Sequence, residues 1–206
     1  MTSIPLLAAL MAQAFLPVPG QASLQGHQSQ AYEIISPNGS LVLRLVTGLE
    51  LTYVIELDGR PVVAPSPISM TLGDGTVLGP AAELSGIRQE TVNETLRPVV
   101  PEKDAEIRDH YTQLTLDFDG EWGLDARAYD DGVAFRFRVE REGELVVANE
   151  GFSAVFSGNP KLWFPTEESF LTHSERLYQE PRLEEIPPDQ MASLPVLVAP
   201  AVGPGP

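Results

Sequence analysis

Apolar and polar residues alternate one by one through the middle of this chain. Val133, Phe135, Phe137 and Val139 fall on one side of an extended segment, with Arg136, Arg138 and Glu140 on the other. Leu114, Leu116 and Phe118 alternate with Thr115, Asp117 and Asp119, and Leu124, Ala126 and Ala128 alternate with Asp125 and Arg127. A period of two is the mark of a strand that buries one face. Leu41 to Val46 and Leu51 to Leu57 add strands rich in Val, Ile and Tyr. Asn38-Gly39, Asp58-Gly59, Asp119-Gly120 and Asp131-Gly132 separate these runs, and such pairs reach positive φ cheaply and close tight hairpins. No twelve-residue stretch past the N-terminal leader has convincing helical spacing. Short helical turns within residues 167–178 or 183–189 stay open. Many one-sided strands joined by close-set turns give an all-β fold of antiparallel sheets. The expectation is a large two-sheet β-sandwich, with a closed barrel as the lesser alternative.

Length and charge then remove whole classes of function. At 206 residues the chain holds one good-sized domain, whereas a (β/α)8 barrel needs about 250 by itself. Against 13 Lys and Arg stand 29 Asp and Glu, a formal net charge of -16. That surface repels phosphate, so neither nucleic acid nor anionic lipid is an expected partner. With no cysteine, disulfides, thiolate catalysis and Cys-based metal sites are excluded.

The two ends carry organisation. Ile4 to Val18 (IPLLAALMAQAFLPV) is an apolar run of signal-peptide length, too short for a membrane span. Gly20-Gln21-Ala22 offers small residues for cleavage after Ala22, although no Lys or Arg precedes Arg44. Residues 1–22 are therefore expected to be a signal peptide, 23–30 a polar linker and 31–206 the mature domain. Export to the periplasm or the exterior follows. At the other end, Leu194 to Ala199 reads as a strand running into Pro and Gly, which suggests a truncated domain.

Local motifs for chemistry are sparse. Asp130-Asp131, Glu167-Glu168 and Glu184-Glu185 are adjacent pairs, and neighbours in a strand point to opposite faces. They make poor acid/base partners; Asp130-Asp131 fits hairpin chemistry and the Glu pairs fit solvated loops. His27, His110 and His173 have no metal-motif spacing, no Ser lies in a GxSxG elbow, and Gly73-Asp74-Gly75 lacks the helix and Lys of a phosphate loop. The segment KLWFPTEESFLTHSERLY, residues 161–178, is different. It sets Trp163, Phe164, Phe170 and Tyr178 beside Glu167, Glu168, His173, Glu175 and Arg176. Aromatic faces beside carboxylates suit sugars or, through oxygen ligands, Ca²⁺. They equally suit a core strand that ends in an acidic loop.

Residues 100–140 (VPEKDAEIRDHYTQLTLDFDGEWGLDARAYDDGVAFRFRVE) resemble the N-terminal domain of glycoside hydrolase family 97, bacterial α-glucosidases and α-galactosidases. The SPNG turn and DGRPVVAPSPI hairpin within residues 35–68, then WFPTEESFLTHSERLY and SLPVLV, continue the likeness in order from about residue 31 to the end. The resemblance implies a β-supersandwich like that of galactose mutarotases. It implies a catalytic (β/α)8 barrel as partner, an α-linked oligosaccharide substrate, and one glutamate given by this domain to a Ca²⁺ near the sugar. Glu175 in HSERLY best matches that glutamate, with Glu167 and Glu168 in reserve. No catalytic residue carries over, because the catalytic carboxylates belong to the barrel. Two rivals remain: a free-standing carbohydrate-binding module acting through Trp163, and a mutarotase-like epimerase using His110, His173 and a Glu.

Overall fold

The computed structural model describes residues 29–100, 103–173 and 175–199. The expected signal peptide, residues 23–28 of the linker and the Pro/Gly tail 200–206 lie outside the described residues.

Fourteen strands and one 3-10 turn make up the described fold. Sheet I comprises β1 (Gln30–Ile35), β2 (Leu41–Thr47), β3 (Thr52–Leu57), β4 (Arg60–Leu72), β5 (Val77–Leu78) and β10 (Val147–Phe152). Its strand order is β1-β2-β3-β4-β10, with β5 on β4. Sheet II is the four-stranded meander β6 (Leu84–Leu96), β7 (Ile107–Phe118), β8 (Trp122–Tyr129) and β9 (Val133–Val139), in that order. All pairings are antiparallel. The expected all-β sandwich is what forms, since β1 and β2 of sheet I pack across β7 and β8 of sheet II.

Alternation does what the sequence predicts. In β2 the odd positions Leu41, Leu43 and Leu45 are buried, as are Leu114, Leu116 and Phe118 of β7 and Leu124, Ala126 and Ala128 of β8. Tyr53, Ile68, Met70 and Leu72 close the same core from sheet I. Asp58-Gly59 takes positive φ at both residues (51° and 71°), the two-residue hairpin turn the dipeptide favours. The β1–β2 turn is held by Asn38, whose Oδ1 accepts from the Ser40 amide at 2.9 Å and from the Ser36 and Ser40 hydroxyls at 2.8 Å each. Its own amide donates to Asp130 Oδ1 at 2.8 Å, so the first hairpin is tied to the β8–β9 turn.

One side of the sandwich stays open. β9 and β10 end their sheets, and the inward row of β9 (Val133, Phe135, Phe137, Val139) is only half-buried. Between them runs a groove of about 530 Å³, whose lining includes Tyr53, Met70, Phe135, Phe137 and Phe152. Phe152 is 66% exposed although its ring stacks on Tyr53 at 5.9 Å.

Past β10 the chain makes a smaller layer. β11 (Lys161–Trp163) pairs with β14 (Leu197–Ala199), and β12 (Thr166–Glu167) with β13 (Met191–Ala192). Of the two possible helical stretches, 167–178 forms none among its described residues and 183–189 keeps only the 3-10 turn Leu183–Glu185. The apolar run near the C-terminus is a strand over its last three described residues, β14. No helix among the described residues is long and apolar enough to cross a membrane.

Candidate functional site

The aromatic and acidic segment predicted from sequence lies in this smaller layer. Glu167 and Glu168 part company as strand alternation requires: Glu167 is 3% exposed, whereas Glu168 is exposed. The Glu167 side chain is the hub of the layer. Its Oε2 accepts from Arg176 Nε at 3.0 Å, and its backbone carbonyl accepts from Gln190 Nε2 at 3.0 Å. Gln190 also donates to the Met191 carbonyl, which fixes the β13 side. Oε1 is buried without a hydrogen bond of standard geometry.

Burial pushes the Glu167 carboxyl toward its neutral form. Hydrogen bonding from Thr172, Arg176 and Ser193 and the Arg176 charge outweigh that, leaving its pKa below the usual 4.5. A depressed folded-state pKa adds stability that is present above the unfolded value and lost as pH falls through the folded one. Urea unfolding at pH 7, 5 and 3 will show this acid loss in the parent chain. Glu167→Gln will be less stable at pH 7 and will decline less steeply below about pH 4.5.

Glu175 is exposed and follows the buried hub by eight residues in sequence. Around it in the chain stand large apolar side chains open to solvent: Phe170 at 93%, Leu171 at 95% and Leu177 at 93%. Leu194 (88%) and Leu197 (60%) add to the exposed apolar surface of the same layer. Trp163 is half-buried, with Lys161 Nζ 5.3 Å from its ring centroid. That cation occupies one face of the ring a sugar would need.

The histidines fall on separate elements. His110 sits on β7 opposite Asn93, half-buried, and its Nδ1 has no hydrogen-bond partner among the described residues. His173 is exposed in the loop after β12. Glu185 Oε2 accepts from the Arg182 amide at 2.8 Å, capping the 3-10 turn, while Asn159 holds the Glu184 amide at 3.1 Å. Both act as turn-building residues. Among the described residues, no three His, Asp or Glu side chains converge as a metal site.

Two features escaped the sequence reading. One is the buried state of Glu167, since a Glu beside a second Glu reads as a solvated loop. The other is a polar network on the outer face of sheet II, around Asp125. Its signal was present in the alternation, which puts Arg136 and Arg138 on the same face as Asp125, but only strand register shows them adjacent.

Comparison with known proteins gives a consistent result. The family model described as Glycosyl-hydrolase 97 N-terminal matches residues 34–203. A retaining alpha-galactosidase of Bacteroides thetaiotaomicron is 34% identical over 185 residues, covering 85% of this chain and 28% of that protein. Among solved structures, a glycoside hydrolase family 97 enzyme from Pseudoalteromonas sp. strain K8, in complex with acarbose, superposes with a TM-score of 0.64 at 16% identity. The match covers 75% of this chain and 25% of that one. A beta-arabinopyranosidase gives 0.61 at 18% identity, over 72% and 26% of the two chains. At these identities the solved structures speak for the fold alone. The chain spans between a quarter and a third of the length of these relatives.

Proposed function

This chain belongs to the glycoside hydrolase family 97 N-terminal domain family, and on that premise we propose that it serves as the accessory β-sandwich of an exported α-glycosidase. Its partner is a catalytic (β/α)8 barrel, and the substrate of the whole enzyme is an α-linked glucoside or galactoside. The observation that carries this reading is the family match across residues 34–203, in a chain that covers 28% of the curated relative. The apolar side chains exposed on the 161–199 layer support it. Phe170, Leu171, Leu177 and Leu194 are each at least 88% exposed, which suits a surface that another domain covers.

The residues fit a shared metal site and do not fit a complete one. No set of three ligands converges among the described residues, so they do not form a complete site. Glu167 already accepts from the Arg176 guanidinium, whose charge competes with a cation for the same group. Glu175 is exposed and is the residue we assign to Ca²⁺. When bound, the ion would supply a hard, oxygen-seeking charge beside the sugar. What this chain's own residues do is hold the carboxylate-bearing segment in place: Arg176 is pinned through Glu167, and Glu167 through Gln190.

Two measurements test the reading. The purified chain is expected to release no nitrophenol from nitrophenyl α-glucoside or α-galactoside above the buffer rate. Turnover well above buffer would overturn the accessory role. Calorimetric titration with Ca²⁺ is expected to show no binding tighter than about 1 mM, as one carboxylate cannot replace the six to eight oxygens this ion takes. Micromolar binding by the chain alone would mean that it holds a full site.

A further inference from the structure

The outward face of sheet II is built unlike a plain solvated sheet face. Strand register lines up Arg88, Thr115, Asp125 and Arg136 across β6 to β9. Thr115 and Asp125 are buried on this outer side, at 1% and 7% exposure. Every acceptor there is already engaged. Asp125 Oδ1 accepts from Thr115 Oγ1 at 3.2 Å and Arg138 Nε at 2.9 Å, and Oδ2 accepts from Arg136 Nε at 3.1 Å.

The neighbouring row holds a guanidinium of another kind. Arg127 Nε donates to Gln113 Oε1 at 2.8 Å, Nη1 donates to Tyr129 Oη at 3.3 Å, and the guanidinium carbon lies 4.1 Å from the Tyr111 ring centroid. Tyr111 and Tyr129 pack ring to ring at 5.1 Å. Three contacts thus fix Arg127, and none of them is a carboxylate. Acidic residues outnumber basic ones 29 to 13 in this chain, yet none is placed in ion-pair contact with Arg127 among the described residues. Burial works against its charge, and Tyr129, Tyr111 and the field of Asp109 outweigh that, so it stays protonated.

Between Arg127 and Arg136 lies a hollow of about 170 Å³, lined by these two residues with Asp125, Tyr129, Ala134 and Phe135. Nη2 of Arg127, Nη1 of Arg136 and the Tyr129 hydroxyl hydrogen make no hydrogen bond to the described residues, so side-chain donors are left over, while the Asp125 and Tyr129 oxygens already accept. A ligand here must bring acceptors, and two forked guanidiniums favour a planar anion.

We propose that this hollow binds the carboxylate of an acidic sugar residue, a hexuronate within or at the end of a glycan. The anionic half of the proposal stands on the donor balance, and the sugar half rests on the glycosidase reading above. Arg127 and Arg136 grip the carboxylate, and the Tyr129 hydroxyl donates to a carboxylate or ring oxygen. The site is distinct from the 161–199 layer: it sits on the outer face of sheet II and works by salt-sensitive ion pairing.

The test is titration of the chain at low ionic strength with galacturonate, digalacturonate, galactose, acetate, sulfate and a tetraglutamate peptide, followed by calorimetry. Galacturonate and digalacturonate are expected to bind with Kd at or below about 1 mM. Galactose, acetate and sulfate should each be at least tenfold weaker. Arg127→Gln and Arg136→Gln should each weaken galacturonate tenfold or more, and Tyr129→Phe, which leaves the ring packing intact, severalfold. Arg97→Gln, an exposed partner of Glu106 elsewhere, should change nothing. Acetate or sulfate binding as well as galacturonate would reduce the hollow to a simple anion site and overturn the proposal. So would galactose binding equally, tetraglutamate binding more tightly than digalacturonate, or no binding to any of them at about 20 mM. Uronate binding that survives Arg127→Gln, Arg136→Gln and Tyr129→Phe would place the ligand elsewhere. The nitrophenol assay is independent of these arms. A failed uronate titration leaves the accessory role standing, and turnover by the chain alone leaves the anion grip standing.

Discussion

Asp125→Ala is expected to destabilise the chain by about 3 kcal/mol, at the low end of the cost of breaking a buried ion pair. The carboxylate is 8% exposed and is the common acceptor for Arg136 and Arg138. Removing it leaves two guanidiniums that faced one charge with no charge between them. The loss stays at the low end because Arg138 keeps Asp117 and Glu140, and because the Arg136 side chain is 71% exposed and can turn to water. Asp125→Asn keeps the shape and one acceptor, so about 2 kcal/mol is expected, since the charge mismatch is the same. Urea denaturation with a fixed slope would measure both. A loss under about 1 kcal/mol for Asp125→Ala would show that water already screens this network.

Leu116→Ala is expected to cost about 3–4 kcal/mol, within the range for deleting a buried leucine side chain. Leu116 is 0% exposed on the central strand β7, where register sets it between Ile87 of β6 and Leu124 of β8. The lost burial accounts for about 2 kcal/mol and the residual cavity for the rest. Flanking strands paired on both sides hold the backbone apart, so the space cannot collapse. For a domain of this size the change corresponds to a fall in Tm of about 10 °C. Leu171→Ala, by contrast, alters a side chain that is 95% exposed and should leave Tm of the isolated chain unchanged. Under the accessory role proposed above, the same substitution should weaken packing of the sandwich on the barrel.

The strands were legible because apolar residues on one face impose a period of two. β2 alternates in burial residue by residue, and the apolar rows of β7 and β8 keep the period although Thr115 and Asp125 between them are buried as well. Turns were legible for a similar reason, as Asp58-Gly59 supplies the positive φ that the hairpin needs. Asp131-Gly132 closes the β8–β9 hairpin, with the Tyr129 amide donating to the Gly132 carbonyl at 2.8 Å, but Gly132 does not take positive φ. Its dipeptide marks the position of the turn and not its type. The layer over residues 161–199 was harder to read. Its strands are two or three residues long, too short for periodicity, and they pair with partners tens of residues away. The identity of Glu167 as a buried hub depends on Arg176, Thr172, Gln190 and Ser193, which meet only after folding. Glu175 came from resemblance alone, and in the fold it is an exposed residue of the loop after β12. The arginine hollow was invisible for a further reason: alternating charges on a strand look like ordinary solvent-facing residues until register counts donors against acceptors.

The order of strands in the chain also sets an order of assembly. β1 to β5 form one sheet from consecutive segments, and β6 to β9 form the other, so nearly every pairing joins neighbours along the chain. Each loop to be closed is short, which keeps the entropic barrier low and favours fast formation of the two meanders. β10 is the exception. It leaves sheet II and returns to β4, pairing Val147 with Leu72 and Phe152 with Ile68. That clasp follows the whole of sheet II in the chain, and it brings Phe152 over Tyr53 at the mouth of the groove. A chain emerging residue by residue therefore presents the last strand of sheet I only after all of sheet II, and sheet I is complete only when β10 pairs with β4.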